Sequence, residues 1–182
     1  MCENAKQILT SAVNGVAMKN SFLEEFELRR EVTKYQKAIT LDPNNAGPFN
    51  GLAGAYFGLG DFERAIEYYQ KAIKLDPNEA GPFNGIASAY SGLGDFNKAI
   101  EFYQKAVKVD PDDASAWFYL GSSYLALERP EEALTVFKEA LKIHKNNPFI
   151  MNGVGLARYK IKKSSKPAVR LTRVDIKKNF RI

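Results

Sequence analysis

A chain of 182 residues, 45% hydrophobic and 26% charged, has room for one or two packed domains and the balance of a globular protein. No apolar run reaches the 18 residues that a membrane-spanning helix needs, and a single cysteine, Cys2, excludes an internal disulfide framework. The net charge of +5 is uneven: residues 1–157 hold 16 basic and 20 acidic side chains, whereas residues 158–182 hold ten basic and one acidic.

In chain order, residues 1–45 read as an irregular helix pair. Val13–Ala17 echoes Phe49–Ala53, and ELRREVTKYQKAITLDP at 27–43 matches DFERAIEYYQKAIKLDP at 61–77. Ser21 and Glu24 form a capping-box pattern that would start the second helix near Phe22. Two copies of one 34-residue unit follow, at 46–79 and 80–113, identical at 24 of 34 positions. A fixed period of this length marks stacked supersecondary units. A third unit, 114–147, keeps the pattern but carries Glu128-Arg129-Pro130 at its inner turn and Lys145 where the others have proline. Residues 148–163 read as one more first helix, a cap whose polar outer face would be Arg158, Lys160, Lys162 and Lys163. The segment 164–182 is a basic tail with Lys166, Arg170, Arg173, Lys177, Lys178 and Arg181. Its apolar residues Val169, Leu171, Val174, Ile176, Phe180 and Ile182 make it too hydrophobic for a plain charge run, so it could dock back on the domain as a short strand or helix.

With Ala46 as position 1, bulky or apolar residues recur at position 4 (Phe49, Phe83, Trp117) and 7 (Leu52, Ile86, Leu120). Small residues fill position 8 (Ala53, Ala87, Gly121), and tyrosine fills 11 (Tyr56, Tyr90, Tyr124). Alanines stand at 20 (Ala65, Ala99, Ala133) and 27 (Ala72, Ala106, Ala140), aromatic rings at 24 (Tyr69, Tyr103, Phe137), and Pro77 and Pro111 at 32. Met151, Val154 and Gly155 continue positions 4, 7 and 8 in the last segment. Positions 4, 7, 8 and 11 share one helix face, as do 20, 24 and 27, so each unit is expected to be two antiparallel helices packed through these faces. Gly60-Asp61 and Gly94-Asp95 mark the turns inside the units.

This pattern resembles the tetratricopeptide repeat, over roughly residues 12–163. The resemblance implies an all-α, right-handed solenoid of about nine helices, and a protein–protein interaction module that is not an enzyme. It places positions 2, 5, 9 and 12 of each first helix on a concave, peptide-binding groove. Asn50 and Phe57, then Asn84, Ser88 and Ser91, then Phe118, Ser122 and Leu125, and finally Asn152 and Tyr159 are the expected lining. Asparagine amides in register could both donate to and accept from a ligand backbone. Equally, they could only cap or fill helix starts. Family members that hold a C-terminal carboxylate do so with Lys and Arg at positions 2, 5 and 6, and this chain has none there.

Chemistry of other kinds has little to stand on. His144 is the only histidine and sits near a helix end, Cys2 has no histidine near it in sequence, and no Cys/His cluster suits a metal, so neither catalysis nor a cofactor is expected. The leading reading is a scaffold that binds a peptide or helix of another protein. Homo-oligomers built through the groove, or a tail that touches nucleic acid, anionic membrane or another acidic partner, are the alternatives. The opening residues show no secretory signal, so a cytoplasmic protein is expected.

Overall fold

A computed structural model of the chain describes residues 23–165, and all the regular structure among them is helical. Eight helices follow one another: α1 (23–41), α2 (Ala46–Gly58), α3 (Phe62–Leu75), α4 (Ala80–Gly92), α5 (Phe96–Val109), α6 (Ala114–Ala126), α7 (Pro130–Ile143) and α8 (Pro148–Ser164). The ninth expected helix, around 13–17, and the capping residue Ser21 lie outside the described residues.

Five of the eight helices begin where a short polar side chain satisfies an orphan amide, and α4 and α7, which follow Glu79 and Arg129, have no such bond. Asn45 accepts from Gly47 N, Asp61 from Arg64 N, Asp95 from Lys98 N, Asp113 from Ser115 N and Ala116 N, and Asn147 from Phe149 N and Ile150 N. Pro130 and Pro148 open α7 and α8, where a missing N–H costs little. Inside the units, the turn residue after each first helix takes a left-handed conformation: Gly60 (φ 76°), Gly94 (φ 79°) and, one period on, Glu128 (φ 55°). The third unit thus keeps the turn geometry of the other two despite its changed sequence. Glu128 adopts it without glycine's freedom, at a cost of about 1–2 kcal/mol. Its carboxylate accepts from Lys160 Nζ of α8 at 2.8 Å, and that contact holds it below the usual carboxylate range.

The helices stack as antiparallel pairs into a right-handed solenoid, each packed on its neighbours in sequence, with α2 also touching α4 and α6 touching α8. Positions 7, 8, 20, 24 and 27 are buried as expected, from Leu52, Ala53, Ala65, Tyr69 and Ala72 to Leu120, Ala133, Phe137 and Ala140. Position 4 is less central than expected. Phe49, Phe83 and Trp117 are half-buried, and Met151 is exposed. A second face, unforeseen from sequence, carries the junction between units: positions 3 and 10, such as Ala116 with Ser123 and Ile150 with Ala157, are buried against the preceding pair. At position 6 the backbone itself makes the contact. A β-carbon added to Gly51, Gly85 or Gly153 would fall inside the ring of Tyr35, Tyr69 or Phe137 from the preceding unit's second helix.

α8 uses this junction face and, of the other face, only position 7. Ile150, Gly153, Val154 and Ala157 are buried, whereas Gly155, the counterpart of the tightly packed Gly121, has nothing within 4 Å of an added β-carbon. The outer face expected to be polar is mixed: Met151 and Gly155 stand beside Arg158 and Lys162.

Candidate functional site

The first helices of the units are uncharged throughout: AGPFNGLAGAYFG in α2, AGPFNGIASAYSG in α4 and ASAWFYLGSSYLA in α6. The charges beside them come from the turns between units. Asn50 Nδ2 donates to Glu79 Oε1 at 3.0 Å, and Asn84 Nδ2 donates to Asp113 Oδ2 at 2.6 Å. Glu79 and Asp113 occupy the N-caps of α4 and α6, so each amide ties one unit to the start of the next. Sequence offered both amides to a ligand backbone or, equally, to the filling of helix starts; one N–H of each serves this contact, and Asn84 Oδ1 is enclosed without a partner.

The other expected lining residues divide in the same way. Ser88 Oγ lies 3.0 Å from the Tyr103 hydroxyl, whose phenol is pushed up by burial, against the opposing hydrogen bonds of Ser88 and Ser91. Phe57 is half-buried with its ring 5.4 Å from Phe62. Ser122 is half-buried and Leu125 is buried, so Leu125 is core rather than groove. Asn152 and Tyr159 are exposed. The tail residues Lys166, Arg170, Arg173, Lys177, Lys178 and Arg181 lie outside the described residues.

The surface formed by the first helices changes character at its α8 end. Position 6 of α6 is Tyr119, where the other first helices have glycine. It cannot tuck under the ring of the preceding unit, so it stacks on Tyr103 instead, with centroids 5.9 Å apart and planes at 20°. The displaced ring stays half in water and packs edge-on against Phe118 at 5.6 Å. Phe118 also meets Phe137 at 6.3 Å below and Phe149 at 6.2 Å across from α8. Between them opens a cleft of about 290 Å³ lined by Ala114, Ser115, Phe118, Tyr119, Asn147 and Phe149. Sequence flagged Phe118 but missed Tyr119, Phe149 and Leu156. The broken glycine at position 6 signalled the first; the second and third occupy groove positions 2 and 9 of α8.

Models of the tetratricopeptide repeat match residues 48–79 and 84–148, together more than half the chain. The chain belongs to the tetratricopeptide repeat family. This is a family of protein-interaction modules, and the helix pairs, turns and junction glycines above are its repeat. No curated protein matches the chain. Among solved structures, the first tetratricopeptide domain of Spaghetti (RPAP3), bound to the HSP90 peptide SRMEEVD, is 26% identical with a TM-score of 0.60, covering 66% of this chain and 96% of that one. MamA is 22% identical with a TM-score of 0.67, covering 79% of this chain and 78% of its own. YrrB, described as a tetratricopeptide protein with an unusual peptide-binding site, is 24% identical with a TM-score of 0.60 over 68% of this chain. The chain spans 63% of the length of YrrB. The likeness to MamA and YrrB is one of fold.

Among the described residues no three His, Cys, Asp or Glu side chains gather to hold a metal ion, and no helix is long and apolar enough to cross a membrane. His144 caps the end of α7 with its Nε2 enclosed and unpartnered.

Proposed function

We propose that this chain is a non-enzymatic interaction module that holds an extended peptide or partner helix of another protein in its concave groove, anchored by an apolar side chain in the cleft between α6 and α8. The observation that carries this reading is Phe149: its ring is 67% exposed and faces Phe118 across the open cleft. A ring left in water gains roughly 25 cal/mol for each Å² that a ligand covers, and aromatic pockets of this kind are where binding energy concentrates. Asn50 and Asn84 serve the groove indirectly, by fixing successive units.

Charge narrows the class of peptide. Positions 2, 5 and 6 of α2, α4 and α6 are Gly47, Asn50, Gly51, Gly81, Asn84, Gly85, Ser115, Phe118 and Tyr119, with no cation among them. Glu79 and Asp113 border the same surface. A carboxylate-rich peptide would therefore meet repulsion and no compensating donor, whereas a neutral or basic peptide with an apolar anchor suits the site. Titration of the full chain with SRMEEVD should release no binding heat; a saturable isotherm would overturn this assignment.

The groove itself is tested with peptides selected on the full chain from a random displayed library. Phe149→Ser should weaken a selected peptide by about tenfold, equivalent to 1.4 kcal/mol, in fluorescence anisotropy. It should leave the melting transition unchanged, because the ring is largely in water. Met151→Ser, 54% exposed on the other side of the same helix, should leave affinity unchanged. Parent-like affinity in the Phe149 variant would remove the groove as the site.

A further inference from the structure

α8 differs from the three earlier first helices in one respect that bears on what fills its groove side. Its groove positions are Phe149, Asn152, Leu156, Tyr159 and Lys163, and every one of them is exposed. Leu156 is 47% and Tyr159 63% exposed. In α2, α4 and α6 the large side chains at these positions are half-buried or buried. The stripe therefore runs open along the whole helix, from the cleft at Phe149 to Lys163, two residues before the last described residue, Ser165.

Residues 166–182 follow Ser165 at that end of the stripe. They hold six basic side chains and one acidic, with apolar residues at Val169, Leu171, Val174, Ile176, Phe180 and Ile182. The stripe, 14 residue steps from Phe149 to Lys163, is about 21 Å long at 1.5 Å per helical residue. An extended chain covers that in roughly six or seven residues at about 3.3 Å each, which brings Leu171 or Val174 to the cleft. α6 is uncharged, and Asp113 immediately precedes Ala114 and Ser115 of the cleft wall. Of the cations on α8, Lys160 is paired with Glu128, Arg158 and Lys162 stand on the side away from the stripe, and Lys163 lies at the end of the stripe far from the cleft. A segment tethered beside its site also has an effective concentration in the millimolar range, which favours it over a separate copy.

We propose that residues 166–182 bind in cis along the Phe149–Lys163 stripe of α8 and place an apolar side chain in the α6–α8 cleft. The tail is then a built-in competitor of the partner peptide, and a ligand must displace it. The competitive role, though not the contact itself, rests on the groove reading above.

Paramagnetic relaxation in the full chain tests the contact without any ligand. Cys2→Ser removes the native thiol, and Thr172→Cys carries the spin label. The expected result is loss of the amide signals of Ser115, Phe118 and Tyr119 in α6 and of Asn152, Leu156 and Tyr159 in α8, restored when Leu156→Glu and Tyr159→Glu are introduced together. Loss along α8 that spares Ser115, Phe118 and Tyr119 of α6 would place the tail on the outer face of α8 and overturn the proposal. So would loss seen only when labelled and isotope-enriched copies are mixed, which would mean binding to a second copy, or no loss anywhere. The readout contains no partner peptide, so its failure leaves the Phe149→Ser titration standing, and the reverse also holds.

Discussion

Phe137→Ala should lower the stability of the domain by about 3–5 kcal/mol, the range for removing a fully enclosed aromatic ring. Phe137 has no exposed surface, and its ring is the single object gripped from two sides by the backbones of α6 at Gly121 and α8 at Gly153. Phe118 rests on it from the groove. Alanine would leave a void that neither glycine can reach across, so both helices lose their anchor together. Domains of this size rarely hold more than about 5–15 kcal/mol in all. Denaturant unfolding gives the size of the loss, and hydrogen exchange should show the amides of α8 opening first, since in stacked repeats each unit depends on its neighbours. A change below about 1 kcal/mol, the size of an unremarkable substitution, would show that the ring is not the clamp.

One substitution made at two glycines should have opposite signs. Gly85→Ala sets a β-carbon inside the Tyr69 ring, which is itself buried, and should cost about 1–3 kcal/mol in displaced packing, less the ~1 kcal/mol that alanine gains in any helix. Gly155→Ala meets nothing and should stabilise by about 0.5–1 kcal/mol. Both glycines lie inside helices with ordinary negative φ, so backbone freedom does not separate them. Paired thermal melts decide the matter: equal shifts would mean either that the junction yields easily or that the outer face of α8 is covered.

The helix pairs were legible because a repeated core leaves repeated letters. Ala53, Tyr56, Ala65, Tyr69 and Ala72 recur at fixed spacing, and periodicity reports burial on one face directly. The junction between units was less legible. Position 6 reads as a helix-weakening glycine unless one knows that a tyrosine from the previous unit lies across it. For Asn50 and Asn84 the acceptor of each lies 29 residues away, beyond what local spacing can show. The third unit departs from the others at Glu128, where the glycine is absent, but the hydrogen bonds that close the turn, from Glu128 N to Leu125 O and from Arg129 N to Tyr124 O, need no particular side chain. Phe149 and Leu156 escaped notice because apolar residues in an amphipathic helix are read as core by default.

The exchange of glycine for Tyr119 also bears on how the chain finds its fold. Units 46–79 and 80–113 are so alike that their interfaces are nearly interchangeable, and repeat arrays of this kind are prone to misassembly between look-alike modules. A pairing slipped by one unit would set α3 against α6, with Tyr69 over Tyr119 where it requires the bare backbone of Gly85. Tyr103 meets Tyr119 in the native pairing with its hydroxyl steadied by Ser88, and Tyr69 has Gly54 in that place. The odd tyrosine thus acts as a key at one joint of an otherwise repetitive chain. Reverting it to glycine would smooth the groove and erase the label that tells the second unit from the first, and refolding of a Tyr119→Gly chain should show a slow phase that the parent lacks.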